Sequence, residues 1–157
     1  MKQLVYGAML LAAMPALADE KAKLAEICDI SWAAYNNQDI NLLRPFLELK
    51  IEKRTPADWT AEQKTAALEG LLENIVNKHQ GYWAKYGHVS YEITRIRILD
   101  KADIPRQYSS YPIERYARIT YLGYSTDTPT KRISTGCTFF DLDGNGSWML
   151  DTPAIAM

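Results

Sequence analysis

The fold is decided by residues 130–151, which read TKRISTGCTFFDLDGNGSWMLD. Two runs rich in β-branched and aromatic residues, 132–142 and 147–151, flank the turn sequence Asp143-Gly-Asn-Gly146. Asp, Asn and Gly tolerate the positive backbone φ angles that tight hairpin turns require. This stretch therefore predicts a β-hairpin that closes an antiparallel sheet.

Two earlier segments also alternate with a period of two and predict two more strands. In residues 88–99 the apolar residues change face partway, from Val89 and Ile93 to Ile96 and Ile98. Such a change within one strand predicts a β-bulge. Residues 113–124 form the next strand, so we expect an antiparallel sheet of about four strands.

Helical periodicity dominates the first half of the chain. Apolar residues recur at helical spacing over residues 19–36. A short second helix is expected from Ile40 until Pro45 disturbs or stops it. Residues 49–54 are then expected to form a connection.

A long third helix is predicted by signals at both of its ends. Thr60 and Gln63 have the spacing of a capping box. The helix is expected to run to Tyr86, because Gly87 suits the position after a last helical turn. The order of helices first and sheet last predicts an α+β fold.

The chain begins with the three parts of a secretory signal peptide. A positive start precedes an apolar core over residues 4–11, and Ala16-Leu-Ala18 fits the small-x-small cleavage pattern. The apolar run is shorter than the ~20 residues that span a bilayer. We expect cleavage between Ala18 and Asp19, export to the periplasm or beyond, and a single domain over residues 19–157.

The charge balance excludes several function classes. The chain has 18 Lys and Arg against 19 Asp and Glu residues, for a net charge of −1. No strong field directs it to nucleic acid or to an anionic membrane surface, so we expect no nucleic-acid partner and no membrane insertion. The sequence contains no nucleophile elbow, phosphate-binding glycine loop or His/Glu metal pair. We therefore expect no cofactor and assign no catalytic residue.

Three features carry a family resemblance. They are Asn-Asn-Gln-Asp-Ile at residues 36–40, the long third helix, and FDLDGNGSWML at residues 140–150. On these features the chain resembles the nuclear transport factor 2-like (cystatin-like cone) superfamily, especially its small exported bacterial members. The resemblance implies N-terminal helices packed in the concave face of a curved antiparallel sheet, with the long helix lying in that face.

The two cysteines, Cys28 and Cys137, predict one disulfide, because an even count in an exported chain favours pairing. Two cysteines are too few for a zinc site, and no metal is expected. Cys28 lies on the apolar stripe of the first helix, and Cys137 shares its strand face with Ile133 and Phe139. In a cone-like fold these two elements lie against each other, close enough for the bond.

The resemblance also implies a ligand pocket inside the cone, for a small apolar or amphipathic molecule. Its candidate residues are His79, Trp83, Tyr86, Tyr91 and Trp148. Some relatives are isomerases or dehydratases with an Asp or His base in this position, and the candidate base is then His79 or an Asp that the sequence does not single out. On an apolar stripe, His79 is otherwise interpreted as a hydrogen-bonded core histidine.

A second candidate surface is a sheet face that carries arginine and tyrosine. Its residues are Arg95, Arg97, Tyr116, Arg118 and Tyr124. These residue types are favoured in binding hot spots, and one face of an antiparallel sheet is otherwise free for a partner. The partner would be an acidic protein or a second copy of the chain; the alternative is a solvated face with cross-strand ion pairs. The sequence thus predicts an exported, non-catalytic binding domain for a small ligand or a protein.

The turn in the closing hairpin matches the first half of an EF-hand calcium loop. Asp141, Asp143 and Asn145 occupy the first three ligand positions, and Gly146 occupies the sixth. Thr152 stands where a bidentate glutamate is required. We therefore expect a polar hairpin turn that does not bind calcium at micromolar concentrations.

Overall fold

The structure, a computed structural model, describes the backbone of residues 6–155 and the side chains of residues 16–155. Three α-helices precede four strands, which form one antiparallel sheet in chain order. The elements are α1 (Tyr6–Asn36), α2 (Arg44–Arg54), α3 (Ala61–Tyr86), β1 (Val89–Asp100), β2 (Arg115–Ser125), β3 (Arg132–Asp141) and β4 (Trp148–Thr152). The sheet is curved and unclosed, and helices pack on it, which confirms the predicted α+β roll.

The predicted signal peptide lies partly outside the described residues, because residues 1–5 are not described. Helix α1 runs without a break from Tyr6 through the predicted cleavage site to Asn36. The side chains of residues 16–19 are exposed, and the buried stripe of α1 begins at Leu24. Cleavage after Ala18 would therefore remove no described side chain of the hydrophobic core.

Helix α1 lies against the centre of the sheet. Leu24, Cys28, Trp32 and Tyr35 recur every three or four residues, so they share one helical face, and each is at most 1% exposed. The long third helix was expected to lie in the concave face. Instead α1 takes the place nearest the sheet, while α3 packs mainly against α2 and the 3₁₀ segment Ile40–Leu43.

Helix α2 differs from the sequence-based expectations in two respects. Pro45 stands in the first turn of α2, where its missing N–H is not needed, so it begins this helix instead of stopping one. Residues 49–54, expected as a connection, form the second half of α2. Two of their polar side chains reach the sheet, where Lys50 and Arg54 pair with Asp151 of β4 at 3.0 and 2.7 Å. Apolar periodicity is weak in this segment because ion pairs hold it.

The ends of α3 confirm the predicted capping signals. The Gln63 N–H donates to Thr60 Oγ1, and the Thr60 N–H donates to the Gln63 side chain. At the other end Gly87 adopts φ 61, and its N–H donates to the Trp83 carbonyl at 2.8 Å. A residue without a Cβ is favoured at this positive φ.

The sheet has β1 and β4 at its edges. The register of β1 against β2 shifts between Ile93 and Arg95, which confirms the predicted bulge. Before the bulge, Tyr91 pairs with Gly123; after it, Ile96 pairs with Ile119. Odd-numbered residues of β1 thus face the helices before the bulge and even-numbered residues face them after it.

The predicted disulfide between Cys28 and Cys137 is present, with 5.9 Å between the two Cα atoms. Ile133 and Phe139 belong to the same buried cluster as both cysteines, as their shared strand face predicts. The bond therefore joins α1 to β3 in the middle of the core.

The convex face of the sheet is covered over part of its area by residues 101–113, here called the covering segment. This segment contains the 3₁₀ turns Lys101–Asp103 and Arg106–Tyr108. A second hydrophobic cluster lies there, formed by Ile113, Tyr116, Phe140 and Met149 with Ile104 and Tyr108 packed against it. Beyond this cluster the convex side chains of β1 and β2 are exposed or half-buried.

Candidate functional site

The concave interior of the roll is filled by its own aromatic side chains. Trp32, Tyr121 and Phe139 are each fully buried. The Trp32 ring stacks on Tyr91 with 4.7 Å between ring centroids and meets Tyr121 edge-on at 5.8 Å. The described side chains therefore occupy the place where the resemblance implies a ligand pocket.

The tyrosines inside the roll do not titrate near neutral pH. The Tyr121 hydroxyl donates to Asp29 at 3.4 Å. Burial, and then the neighbouring Asp29 carboxylate, raises the pKa of both Tyr91 and Tyr121. Both groups stay protonated and act as packing and hydrogen-bonding groups.

The five residues predicted to line one pocket lie in different places. His79 and Trp83 face a cleft on the helical side of the molecule. Tyr86 stacks on Tyr82 at 6.0 Å, and Tyr91 stacks on Trp32. Trp148 donates from Nε1 to Glu20 at 2.9 Å, near the start of the packed part of α1. The structure brings two of the five together and separates the other three.

That cleft, here called the His79 cleft, lies between the end of α1 and α3 and has a volume of about 100 Å³. Its lining residues from α1 and the segment that follows it are Tyr35, Gln38 and Ile40. Its lining residues from α3 are Val76, His79, Gln80 and Trp83. None of these side chains is charged when His79 is neutral.

The His79 ring is held neutral by its surroundings. It is 8% exposed, and burial lowers its pKa to about 4 even though a hydrogen bond with the Ala154 backbone opposes that shift. Its Nε2 is buried without a hydrogen-bond partner among the described residues. The other ring nitrogen, Nδ1, therefore donates to the Ala154 carbonyl. The hydrogen bond of Nδ1 agrees with the interpretation of His79 as a hydrogen-bonded core histidine.

The chain beyond β4 is fastened by three elements at once. The Ala154 N–H donates to Ser31 Oγ of α1 at 2.7 Å, and the Ile155 N–H donates to Thr135 Oγ1 of β3 at 3.1 Å. His79 of α3 holds the Ala154 carbonyl. These contacts fix the position of the His79 ring relative to the core.

The predicted partner face is partly exposed and partly covered. Tyr116 is 4% exposed and packs with Tyr108 of the covering segment, so it does not belong to the free surface. Alternation predicted its side of the sheet correctly, but it gives no sign of a covering segment. The remainder is here called the arginine face; it consists of the exposed Arg95 and Arg97 and the half-buried Arg118 and Tyr124.

The arginine face brings like charges together on neighbouring strands. Arg97 pairs directly with Arg118 across β1 and β2, and Arg95 pairs with Thr120. The Arg118 guanidinium donates to Thr138 Oγ1 at 3.4 Å. At the far end the Tyr124 hydroxyl donates to Glu92 at 3.3 Å, and the Arg132 guanidinium lies 5.6 Å from the Tyr124 ring centroid.

Acidic residues are scarce around this face. Strand β2 contains no Asp or Glu, and the acidic residue of β3, Asp141, is fully buried. Glu92 already accepts from Tyr124. The arginine face therefore carries a net positive charge in a chain whose net charge is −1.

The closing hairpin uses its acidic ligands internally. The Asp141 carboxylate accepts backbone N–H groups of Asp143, Gly144 and Gly146 at 3.3, 2.9 and 2.8 Å. Gly144 and Gly146 have φ 70 and 84, which agrees with the predicted turn chemistry. Within the described part of the chain, no group of three His, Cys, Asp or Glu side chains is placed to hold a metal ion.

A half-buried ion pair that no sequence pattern indicated joins α1 to the sheet. Arg115 donates two hydrogen bonds to Glu20, at 2.8 and 2.7 Å, and its guanidinium lies 5.0 Å from the Trp148 ring centroid. The hydrogen bond from Arg115 lowers the pKa of Glu20 despite its partial burial. This cluster explains why Trp148 is absent from the His79 cleft.

Most lining residues of the His79 cleft were not among the residues predicted from the sequence. A signal for it exists, because Val76, His79 or Gln80, and Trp83 are spaced as one face of α3. The break after α1 at Gln38, which adopts φ 53, brings the opposite wall into place. That wall depends on how two helices pack, which spacing along one helix does not show.

Comparison of the chain with protein-family models, with curated proteins and with solved structures gives no match. Among the described helices, none combines the length and apolar character needed to cross a bilayer. Function is therefore inferred from the surfaces described above.

Proposed function

We propose that this protein is an exported, non-catalytic binding domain whose arginine face docks an acidic segment of a partner protein. The observation that carries the proposal is the direct cross-strand pairing of Arg97 with Arg118 beside Arg95. Like charges placed opposite each other on neighbouring strands destabilise a sheet. Repulsion between these arginines therefore opposes folding. The carboxylates of an acidic partner would neutralise their positive charge.

Charge complementarity selects the partner class. The face offers guanidinium groups, which form paired hydrogen bonds with carboxylates, and Tyr124 beside them as an aromatic contact. Glu92 is the one acidic side chain that β1 and β2 place on this face, and it accepts a hydrogen bond from Tyr124. A segment with several Asp or Glu side chains in extended conformation would match the spacing of outward residues along β1 and β2.

The filled interior argues against a cone ligand as the main function. Trp32, Tyr121 and Phe139 leave no room there without large rearrangement. The isomerase or dehydratase alternative is weakened for the same reason. His79 is also a poor general base, because effective bases have a pKa near the working pH and burial holds this one at about 4.

Export and family membership belong to the same proposal. The signal-like start, the disulfide and the absence of core side chains among residues 16–18 support cleavage at Ala18/Asp19 and an oxidising compartment such as the periplasm. The α+β roll supports placement in the nuclear transport factor 2-like superfamily.

The proposal is tested with fluorescein-labelled deca-glutamate as the probe and fluorescence anisotropy as the readout. The Arg95→Glu/Arg97→Glu variant should bind at least about tenfold more weakly. Its melting temperature should stay nearly unchanged, since exposed substitutions usually cost under ~0.5 kcal/mol. The matched control, Lys21→Glu/Lys23→Glu, makes the same charge change on α1 and should bind almost as the unmodified protein does, because salt screens charges beyond about 8 Å.

Three outcomes would contradict the proposal. Equal weakening by both double variants would show that only net charge matters. Tighter, arginine-dependent retention on phosphatidylglycerol vesicles than on deca-glutamate would assign the face to a membrane surface. Self-association that the Arg95→Glu/Arg97→Glu variant abolishes, measured by native mass spectrometry, would assign it to a second copy of the chain.

A further inference from the structure

From the geometry of the His79 cleft, we propose that it is a second binding site, for a small neutral molecule with one N–H or O–H donor on a flat apolar body. The cleft lies between helices, away from the arginine face, and is independent of the function proposed for that face. Its walls are Tyr35, Ile40, Val76 and Trp83, with His79 at its base.

The unpartnered His79 Nε2 sets the chemistry of this site. Nδ1 donates to the Ala154 carbonyl, so the neutral ring carries its proton there and Nε2 carries a lone pair. Buried polar atoms are almost always hydrogen-bonded, and one that is not calls for a partner. The partner of a ring nitrogen lone pair is a donor.

Among the other polar side chains of the cleft, Tyr35 also requires a donor. The Tyr35 hydroxyl donates to the Gly87 carbonyl at 2.9 Å, so its own proton is already used. Burial raises the pKa of Tyr35 to about 12, and the hydroxyl keeps that proton at neutral pH. Toward a ligand, Tyr35 therefore acts only as an acceptor, as His79 does.

The uncharged lining and the volume of the cleft further restrict which ligands can bind. The described lining holds no charged side chain, so an ion would lose its hydration without compensation. The volume of about 100 Å³ is smaller than the ~150 Å³ cavity that accommodates benzene, so the ligand is no larger than a single ring. In the proposed complex the ring contacts the apolar lining residues, among them Trp83 and Ile40.

The rim supplies a route to the buried nitrogen. Gln38 and Gln80 border the cleft, and both side chains are exposed. Long exposed amide side chains change rotamer on a picosecond-to-nanosecond timescale. Their movement opens the cleft, and a ring that enters replaces them above His79.

The test uses two probes of nearly equal shape, phenol and fluorobenzene, of which only phenol is a donor. Binding is followed by ¹H–¹³C and ¹H–¹⁵N NMR of the His79 and Trp83 rings in the intact disulfide-bonded protein. Phenol should shift both rings to saturation, with the His79 Nε2 resonance moving as an acceptor's does. Fluorobenzene should bind at least about tenfold more weakly, which corresponds to one lost hydrogen bond.

A pair of α3 variants locates the site. Val76→Trp fills the cleft and should abolish the phenol shifts, whereas Ala84→Trp adds the same ring at an exposed position of α3 and should preserve them. Equal affinity for phenol and fluorobenzene would overturn the assignment of His79 as acceptor. Absence of saturable shifts, with water alone at Nε2, would overturn the site itself, as would phenol binding that Val76→Trp leaves intact.

Discussion

The two faces of β2 differ although they share one backbone. Toward the helices, Ala117, Ile119 and Tyr121 are fully buried. On the opposite face Arg118 and Leu122 are half-buried. The difference comes from what covers each face: helices on one side, and a covering segment over only part of the other. Stability is thus concentrated on the concave face, and the uncovered part of the convex face contains the surface proposed for recognition.

This contrast implies very different responses to substitution. Burying a large apolar side chain stabilises a fold by about 1.5–3 kcal/mol, while changes at exposed positions usually stay within ~0.5 kcal/mol. Substitutions beneath α1 should therefore lower the free energy of unfolding and leave binding by the arginine face intact. Substitutions on the arginine face should weaken binding and change the free energy of unfolding little.

The largest effect is expected from removal of the disulfide in the Cys28→Ala/Cys137→Ala variant. The bond closes a loop between residues 109 positions apart, and long loops gain most from closure. Its loss should lower the free energy of unfolding by ~2–4 kcal/mol in urea titrations at pH 7. The control Ser90→Ala/Ser134→Ala changes two exposed serines on the convex face and should shift it by under ~0.5 kcal/mol. Similar free energies of unfolding for the two double variants would contradict the proposed difference in stability between the concave and convex faces.

Much of the concave side could be predicted from sequence because its signals are local. Period-two alternation gave the strands, the change of face after Ile93 gave the bulge, and Thr60 with Gly87 gave the ends of α3. The pairing of Cys28 with Cys137 followed from two local faces and the layer order of an α+β roll.

The remainder depends on contacts between distant segments. Tyr116 alternates with the arginines, and only the packing of residues 101–113 separates it from them. Pro45 fits either the start or the stop of a helix, and the pairing of α2 with Asp151 decides between them. The His79 cleft needs two helices and the segment after β4, so no single periodic stretch contains it.

The next-largest effect is a loss of unfolding free energy at acid pH. We expect it to come from His79, on the helical side of the molecule. The pKa of His79 is about 4 in the folded protein and 6.5 for an ordinary histidine. Between these pH values the unfolded chain binds more protons, so stability is full above pH 6.5 and falls as the pH drops toward 4. The loss should approach about 3 kcal/mol at its limit.

Urea titrations at pH 7, 5.5 and 4 would measure this loss. His79→Asn cannot titrate and can still donate to Ala154, so its stability should fall less steeply with acid than that of the unmodified protein. His88→Gln, at an exposed histidine, should follow the unmodified protein. Parallel pH profiles for His79→Asn and the unmodified protein would show that burial of this ring does not govern acid stability.

The smallest effect is expected on the arginine face, and its sign is opposite. Arg97→Thr removes one member of the like-charged pair with Arg118. It should raise the free energy of unfolding by a few tenths of a kcal/mol at low salt, since cross-strand pairs contribute ~0.2–1 kcal/mol. The gain should shrink at 1 M salt, where charges are screened within about 3 Å.

Arg95→Thr is the matched control for this gain, because Arg95 lies on the same strand and face but pairs with Thr120. It should leave stability unchanged at both salt concentrations, while both variants weaken deca-glutamate binding. Equal gains from the two variants would mean that general positive charge, and not the Arg97–Arg118 pair, opposes folding. A loss of stability in Arg97→Thr would mean that this arginine supports the sheet, and the arginine face would then be structural. A gain in the free energy of unfolding that occurs only in Arg97→Thr, together with weaker deca-glutamate binding, would show that the Arg97–Arg118 pair lowers stability and supports binding. The convex face would then differ from the concave face, whose side chains stabilise the fold.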